Sequence, residues 1–331
     1  MRNEATSEAR RIWSNSAGPV DTWMDYSRRR TRKSSARNRL STIDHRSSSI
    51  NRRAFTLVEL LVVIAVIALL AAILLPALQR ARRQAKAVAC QASLRQWAVT
   101  LALYLEENQG RFPRQGADPV LGLLSGRYLT KDDPNAYWRY HGVRTEGIAC
   151  CPMAVKAAEP NTVGSFTSTA NGRLVLQGRH GTTFRAWEIT YPGPAFLCSY
   201  GMNSNLCSFG FEGRGVFGPE RDLPYTDIFG LRGFRNVPLL FDCAQPANSL
   251  MNERIRPPPR EPSGADGAIC INRHDGSLNG LFIDMSIRKV GLKELWTLKW
   301  HKQFDTAGPW TKAGGVQPEA WPQWMRKFKD Y

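Results

Sequence analysis

Sixteen consecutive apolar residues, 60–75, constrain this chain more than any other feature. The apolar character extends over 55–78 and is broken only by Thr56, Glu59 and Pro76. As a helix rising 1.5 Å per residue, that stretch reaches roughly 36 Å, enough to cross a hydrocarbon layer of about 30 Å. A core helix of a soluble domain normally keeps a polar face, and this run has none, so it predicts a membrane span. A mean hydropathy of −0.35 over 331 residues excludes a polytopic membrane protein. With 43% apolar and 10% aromatic residues, the rest of the chain can still bury a core.

The formal charge of +17 is unevenly spread, with +8 of it in residues 1–54. That segment is rich in Arg, Ser and Asn, holds the run Arg28-Arg29-Arg30-Thr31-Arg32-Lys33 and has no apolar periodicity, so it reads as a disordered leader. An Arg-rich arm for nucleic acid or anionic lipid is the alternative for the leader alone. The remainder is only mildly basic, so no nucleic-acid partner is expected. Met24 offers a second start that would shorten the leader.

Beyond Pro76 the pattern stays helical but turns amphipathic. Leu78, Ala81, Ala85, Val88, Ala92, Val99 and Leu103 recur at helical spacing, with Arg80, Arg82, Arg83, Lys86 and Arg95 between them. Asn108-Gln109-Gly110 and then Pro113 form a stop signal. One helix over 55–108 would be roughly 80 Å long, half in lipid and half packed on a soluble part.

Residues 111–331 read as a soluble domain of short apolar runs broken by Gly, Pro, Asn and Asp. Strands are expected at 172–177, 183–190, 237–242 and in a 280–284 with 286–290 pair, which favours an antiparallel sheet over βαβ units. A final helix is expected over 291–304.

A secretory signal would have a shorter apolar core and a cleavage site beyond it. Here Gln79-Arg80-Ala81-Arg82-Arg83 follows the core, and the distinctive place is the junction Arg52-Arg53-Ala54-Phe55-Thr56-Leu57-Val58-Glu59-Leu60-Leu61. This junction resembles the N-terminal cleavage and methylation signal of the type IV pilin and type II secretion pseudopilin superfamily. The resemblance implies that a prepilin peptidase cuts between Ala54 and Phe55 on the cytoplasmic side and methylates the new amine of Phe55. It also implies that Glu59 sets the register between subunits and that Pro76 is the helix-bending proline. Ala54 stands where the family prefers Gly.

Physics supplies an independent reason for Glu59. A carboxylate in hydrocarbon is costly and is usually paired or functional, and the free amine of Phe55 on a neighbouring helix is a suitable partner. The alternative is a Glu that reaches water at the headgroups. The basic leader fits a positive-inside orientation, which the patch at 80–86 on the opposite flank weakens.

A second, narrower resemblance rests on Asn108-Gln109-Gly110-Arg111-Phe112-Pro113, Cys151-Pro152, Ser199-Tyr200-Gly201-Met202-Asn203 and the stretch from Arg273 to Asp284. These look like the pseudopilin-like proteins of Planctomycetes and Verrucomicrobia, which often end with a His, nine residues, then Asp-Gly. That pattern maps to His274 and Asp284, with Met285 in place of the Gly. The turn before 286–290 therefore lacks the residue that takes positive φ most easily, and a tight hairpin is not expected there.

The other constellations are weaker. His274, Asp275 and Asp284 could hold Ca²⁺, as some major pseudopilins do, but they fall short of a ligand set, so no metal or cofactor is expected. The six cysteines beyond Cys90 allow 15 full pairings, and Cys198 with Cys207, which would close a short loop, is the pairing expected first. No pair has zinc-ligand spacing, and Cys90 reads as a small packing residue on the helix. Cys151, His141 and Asp242 make a triad only on paper, and no catalytic motif accompanies them, so no enzyme activity is expected. Trp296, Trp300, Trp310, Trp321 and Trp324 near the C-terminus would suit a glycan or protein partner if exposed, or core packing if not.

The expected fold is therefore α+β and pilin-like. A cleaved leader (1–54), a transmembrane segment (55–78) and an amphipathic continuation (79–110) lead into an antiparallel-sheet domain (111–331). The expected role is a structural subunit, of the minor kind, of a type II secretion pseudopilus or type IV pilus-like filament in the inner membrane. Its leader would be cytoplasmic and its domain periplasmic or extracellular. Prepilin peptidase, other pilin subunits, an assembly platform and membrane lipid are the implied partners. A monomeric membrane-anchored protein that binds a glycan or exported substrate is the alternative.

Overall fold

The computed structural model describes residues 56–112, 147–170, 173–191, 195–206, 225, 227–228, 234–248, 252–261 and 268–331. The leader, Ala54, Phe55, His141 and Cys207 lie outside them. The chain divides into two units, Met1–Leu60 and Leu61–Tyr331.

In the first unit the described residues form a helix start. Thr56 Oγ1 accepts from the Glu59 backbone N–H at 3.2 Å, while the Glu59 carboxylate accepts from the Thr56 N–H at 2.8 Å. This reciprocal pair is a capping box that satisfies two donors otherwise orphaned at a helix N-terminus. Helix α1 (Leu57–Glu107) begins there and contains Pro76. From 57 to 78 its side chains are exposed except for the half-exposed Ala71.

At the other end, Gln109 takes φ 56 and Gly110 φ 73. Gly110 N–H donates to Leu105 O at 2.6 Å and Gln109 N–H to Glu106 O at 3.3 Å. These are the two bonds of a Schellman motif, so the Asn108-Gln109-Gly110 stop works through a left-handed Gln.

The described residues of the second unit carry nine strands in two sheets. Strands β1 (Ser165–Ala170), β2 (Arg173–Arg179), β3 (Trp187–Tyr191) and β4 (Phe196–Cys198) form an antiparallel meander. Strands β5 (Tyr200–Asn203), β6 (Pro238–Asp242), β7 (Ala247–Asn248), β8 (Ser277–Phe282) and β9 (Ile287–Gly291) form a sheet of order β7-β5-β6-β8-β9. Among the described residues its pairings are antiparallel except for β5 with β7. The arrangement is α+β, as expected.

Period-two alternation gives the larger sheet two buried faces. Leu240, Leu281 and Ile283 join a cluster with Leu94, Trp97, Leu101 and Tyr104 of α1. Phe241, Leu278, Phe282 and Val290 join a second cluster with Trp296, Trp300, Trp321 and Met325. The C-terminal tryptophans are thus core residues of the far face, with Trp310 and Trp324 packed at its margin.

Four local expectations are corrected. The apolar stripe read on the helix is not the buried one: Val88, Val99 and Leu103 are exposed, whereas Cys90, Leu94, Trp97 and Leu101 are buried. This part of α1 carries apolar residues on opposite sides, and the side with the large aromatic packs the sheet. The third strand begins at Trp187 rather than 183, because Thr182 and Arg185 close a turn with N–H to O bonds of 3.0 and 3.4 Å. The final helix shrinks to a 3-10 turn, Lys293–Thr297, because Leu298 is extended and Lys299 N–H donates to Asn236 O at 2.8 Å. A tight turn does form between β8 and β9, with Met285 itself taking φ 62. Asp284 Oδ1 supports it by accepting from Ser286 N–H at 3.0 Å.

Candidate functional site

The helix-facing side of the larger sheet holds a buried polar cluster. Phe241 turns to the far face, so Asp242, the last residue of β6, turns toward α1. On β8, Leu278 and Phe282 take the far face and leave Asn279 toward the helix. Asn279 donates to Ala87 O at 3.3 Å and accepts from Gln91 Nε2 at 3.1 Å, which ties α1 to the sheet. Cys90 lies one turn before Leu94 on the buried stripe of the helix and so points into the same space.

Asp242 is fully used. Oδ1 accepts from Arg273 Nη1 at 2.8 Å, and Oδ2 accepts from Asn279 N–H at 2.8 Å and lies 3.2 Å from His274 Nε2. Arg273 is completely buried and also donates to Ser199 O at 2.6 Å and to Thr183 O at 2.7 Å. The short turn at 182–185 thus serves to cap this guanidinium. Cys151 Sγ lies 3.4 Å from His274 Nε2, and its N–H donates to Ser199 Oγ at 2.6 Å. Cys90 Sγ is 3.7 Å from both Asp242 oxygens and accepts from Tyr200 Oη at 3.3 Å.

Charge in this space follows from those contacts. Burial works against ionised Asp242, but Arg273, His274 and the Asn279 N–H outweigh it and hold the carboxyl at about 2. Burial works against a charged His274, but its hydrogen bonds to Asp242 and Cys90 lift it to about 9. The two thiols move in opposite directions. Burial opposes both thiolates, yet Cys90, hydrogen-bonded by Cys151 and His274, falls to about 7, whereas Cys151 is pushed up.

The four groups do not form a nucleophile–base relay. Such a relay uses one imidazole nitrogen toward the nucleophile and the other toward the acid. Here Cys151 and Asp242 both meet Nε2 of His274. One ligand atom from each of Cys90, Cys151, Asp242 and His274 lies within 4.8 Å of the other three, which is convergence on a point. A cleft of about 370 Å³ lined by Arg83, Phe184, Arg273, His274 and Asp275 opens toward them.

The residues singled out from the sequence are distributed differently. His274 joins Asp242, whereas Asp275 faces Arg83 at 3.5 Å and Asp284 bonds within its own turn. The His274, Asp275 and Asp284 trio therefore has three separate sets of partners. Cys198 is buried beside the Tyr200 backbone. Cys90 and Arg273 were not read as site residues. The available signals were Cys90 within the Leu94 and Trp97 stripe and the adjacent Arg273-His274 pair.

A family model described as the prokaryotic N-terminal methylation motif matches residues 50–75. The chain is also similar to the type IV wide pilus major component PilA4 of Thermus thermophilus, 41% identical over 75 residues. That match spans 23% of this chain and 57% of the relative, so the chain covers little more than half the relative's length. The family model covers the junction and the helix start described above. The N-terminal segment is pilin-like. No solved structure matches it. Among the described residues, the chain has one helix long and apolar enough to cross a membrane, and with the methylation motif at its start it is membrane-anchored.

Proposed function

We propose that this pilin-like protein is a structural subunit, of the minor kind, in a type II secretion pseudopilus or type IV pilus-like filament. The observation that carries the reading is α1 itself. It starts at a methylation motif, exposes its apolar half over 57–78 and buries Cys90, Leu94, Trp97 and Leu101 in its own domain. An exposed apolar helix half needs lipid before assembly and neighbouring helices afterwards. The outward stripe of Val88, Val99 and Leu103 extends that unpartnered surface along the helix.

In this reading prepilin peptidase removes 1–54, methylates Phe55 and releases a chain 55–331 of side-chain charge +9. The leader is cytoplasmic and the domain lies across the membrane. Glu59 pairs with the Phe55 amine of the next subunit, Pro76 bends the helix, and an inner-membrane platform drives assembly. N-terminal sequencing and intact-mass measurement of protein from its native host test this. Methylated Phe55 is expected, and an intact residue 1 overturns it.

The monomeric glycan- or substrate-binding alternative would rest on Trp310 and Trp324, which are half-buried. Trp296, Trp300 and Trp321 are almost fully buried and so do not offer their ring faces to a sugar.

A further inference from the structure

We propose that Cys90, Cys151, Asp242 and His274 form a Zn²⁺ site that clamps helix α1 to the sheet. The donor set is two sulfurs, one imidazole nitrogen and one carboxylate oxygen, all buried and mutually within 4.8 Å. That mixture of sulfur, nitrogen and oxygen suits a borderline-soft cation better than Ca²⁺ or Mg²⁺, which take oxygen.

Three of the edges between the ligand atoms match those of a tetrahedron. Zinc bonds of about 2.3 Å to sulfur and 2.0–2.1 Å to nitrogen or oxygen place two ligand atoms about 3.3 Å apart for a nitrogen–oxygen edge and about 3.5 Å for an edge with one sulfur. The observed edges are 3.2 Å from His274 Nε2 to Asp242 Oδ2, 3.4 Å from Cys151 Sγ to His274 Nε2, and 3.7 Å from Cys90 Sγ to Asp242. The convergence on one imidazole nitrogen, which is wrong for a relay, is what a shared central ion requires.

Outer contacts are also in place. Asn279 N–H and Arg273 hold the carboxylate, Tyr200 Oη points at the Cys90 sulfur, and Ser199 Oγ accepts from the Cys151 N–H. Such partners orient ligands and raise metal affinity. Two thiolates, one carboxylate, Zn²⁺ and the buried Arg273 guanidinium sum to zero charge, so the filled centre leaves no net charge in the core. The cleft beside His274 is the route of entry. The ligands come from α1, the segment at 151, the end of β6 and the loop before β8, so the ion would join parts of the chain that are distant in sequence.

The test uses the full chain in detergent, purified without chelator and with its thiols protected from air. Elemental analysis should find one Zn²⁺ per chain. Replacement by Co²⁺ should give the sulfur-to-cobalt charge-transfer band and intense visible bands of a tetrahedral thiolate site. Cys90→Ser should weaken zinc binding by more than the about 10–100-fold typical of outer-shell substitutions, while Cys198→Ser, at a buried cysteine outside the four, should leave it unchanged. A Cys90 substitution also touches the core, so the wild-type cobalt spectrum carries the decision. Absence of stoichiometric metal in the thiol-protected protein overturns the proposal, as does a Co²⁺ spectrum without thiolate bands. A Cys90–Cys151 disulfide found by peptide mass mapping of protein alkylated in its native host overturns it equally.

Discussion

Arg273 Nη1 lies 2.8 Å from Asp242 Oδ1, and neither side chain has any solvent exposure. Removing one member of such a pair strands a buried charge, which costs about 3–5 kcal/mol. Asp242→Asn and Arg273→Met should each lower stability by about that amount in urea unfolding followed by tryptophan fluorescence. The double variant Asp242→Leu with Arg273→Met should recover part of the loss. Additive losses in the double variant would contradict the pairing.

Trp97 is fully buried on α1, and its Nε1–H donates to Ile148 O at 3.0 Å. Trp97→Ala removes a large core side chain and leaves that carbonyl unpaired, so a loss of about 3–5 kcal/mol is expected from the domain's unfolding midpoint. Val99→Ala, on the exposed side of the same turn, should change the midpoint little. Equal effects would mean the two helix faces are misassigned.

His180 is buried beside the Phe166 ring at 5.2 Å, and its Nδ1 has no partner among the described residues. Burial therefore depresses its pKa below 6.5. A group that resists protonation in the folded state favours folding above its unfolded pKa and progressively opposes it as pH falls below that value. Domain stability should thus decline as pH falls from about 6.5. His180→Leu should flatten that part of the profile, and an unchanged slope would assign the decline to other groups.

Glu59 closes a capping box with Thr56, and the proposed assembly also asks it to pair with a neighbouring amine. Glu59→Gln keeps the cap's hydrogen-bonding ability and discards the charge, while Glu59→Leu discards both. Glu59→Leu loses the cap's second bond, a small cost at an exposed helix end, and both variants should still insert into the membrane. Both should fail to enter filaments, as judged by sheared-filament immunoblots. Normal incorporation of either variant would refute the register role.

The membrane-anchoring segment was legible because it is contiguous. Residues 60–75 are apolar whatever the rest of the chain does, and the 52–61 junction is read within ten residues. The Asn108-Gln109-Gly110 stop is equally local, since a Schellman cap involves only its own last turn. The strand at 237–242 was visible because a strand buried on both faces is nearly continuous in apolar residues.

Which helix face packs could not be read in the same way. Val88 and Val99 look as suited to a core as Leu94 and Leu101, and only the fit of Trp97 against the sheet separates them. The Met285 turn is similar, because the Asp284 side chain and the flanking β8–β9 ladder impose a φ that composition argues against. The buried centre is the extreme case. Cys90 and Asp242 are 152 positions apart and Cys151 and His274 are 123 apart, so no spacing rule relates them. Periodicity and apolar run length are properties of neighbouring residues, and they specified the anchor and the helix. The meeting of two thiols, a carboxylate and an imidazole depends on how α1 and the sheet are stacked, and long-range packing alone brought it about.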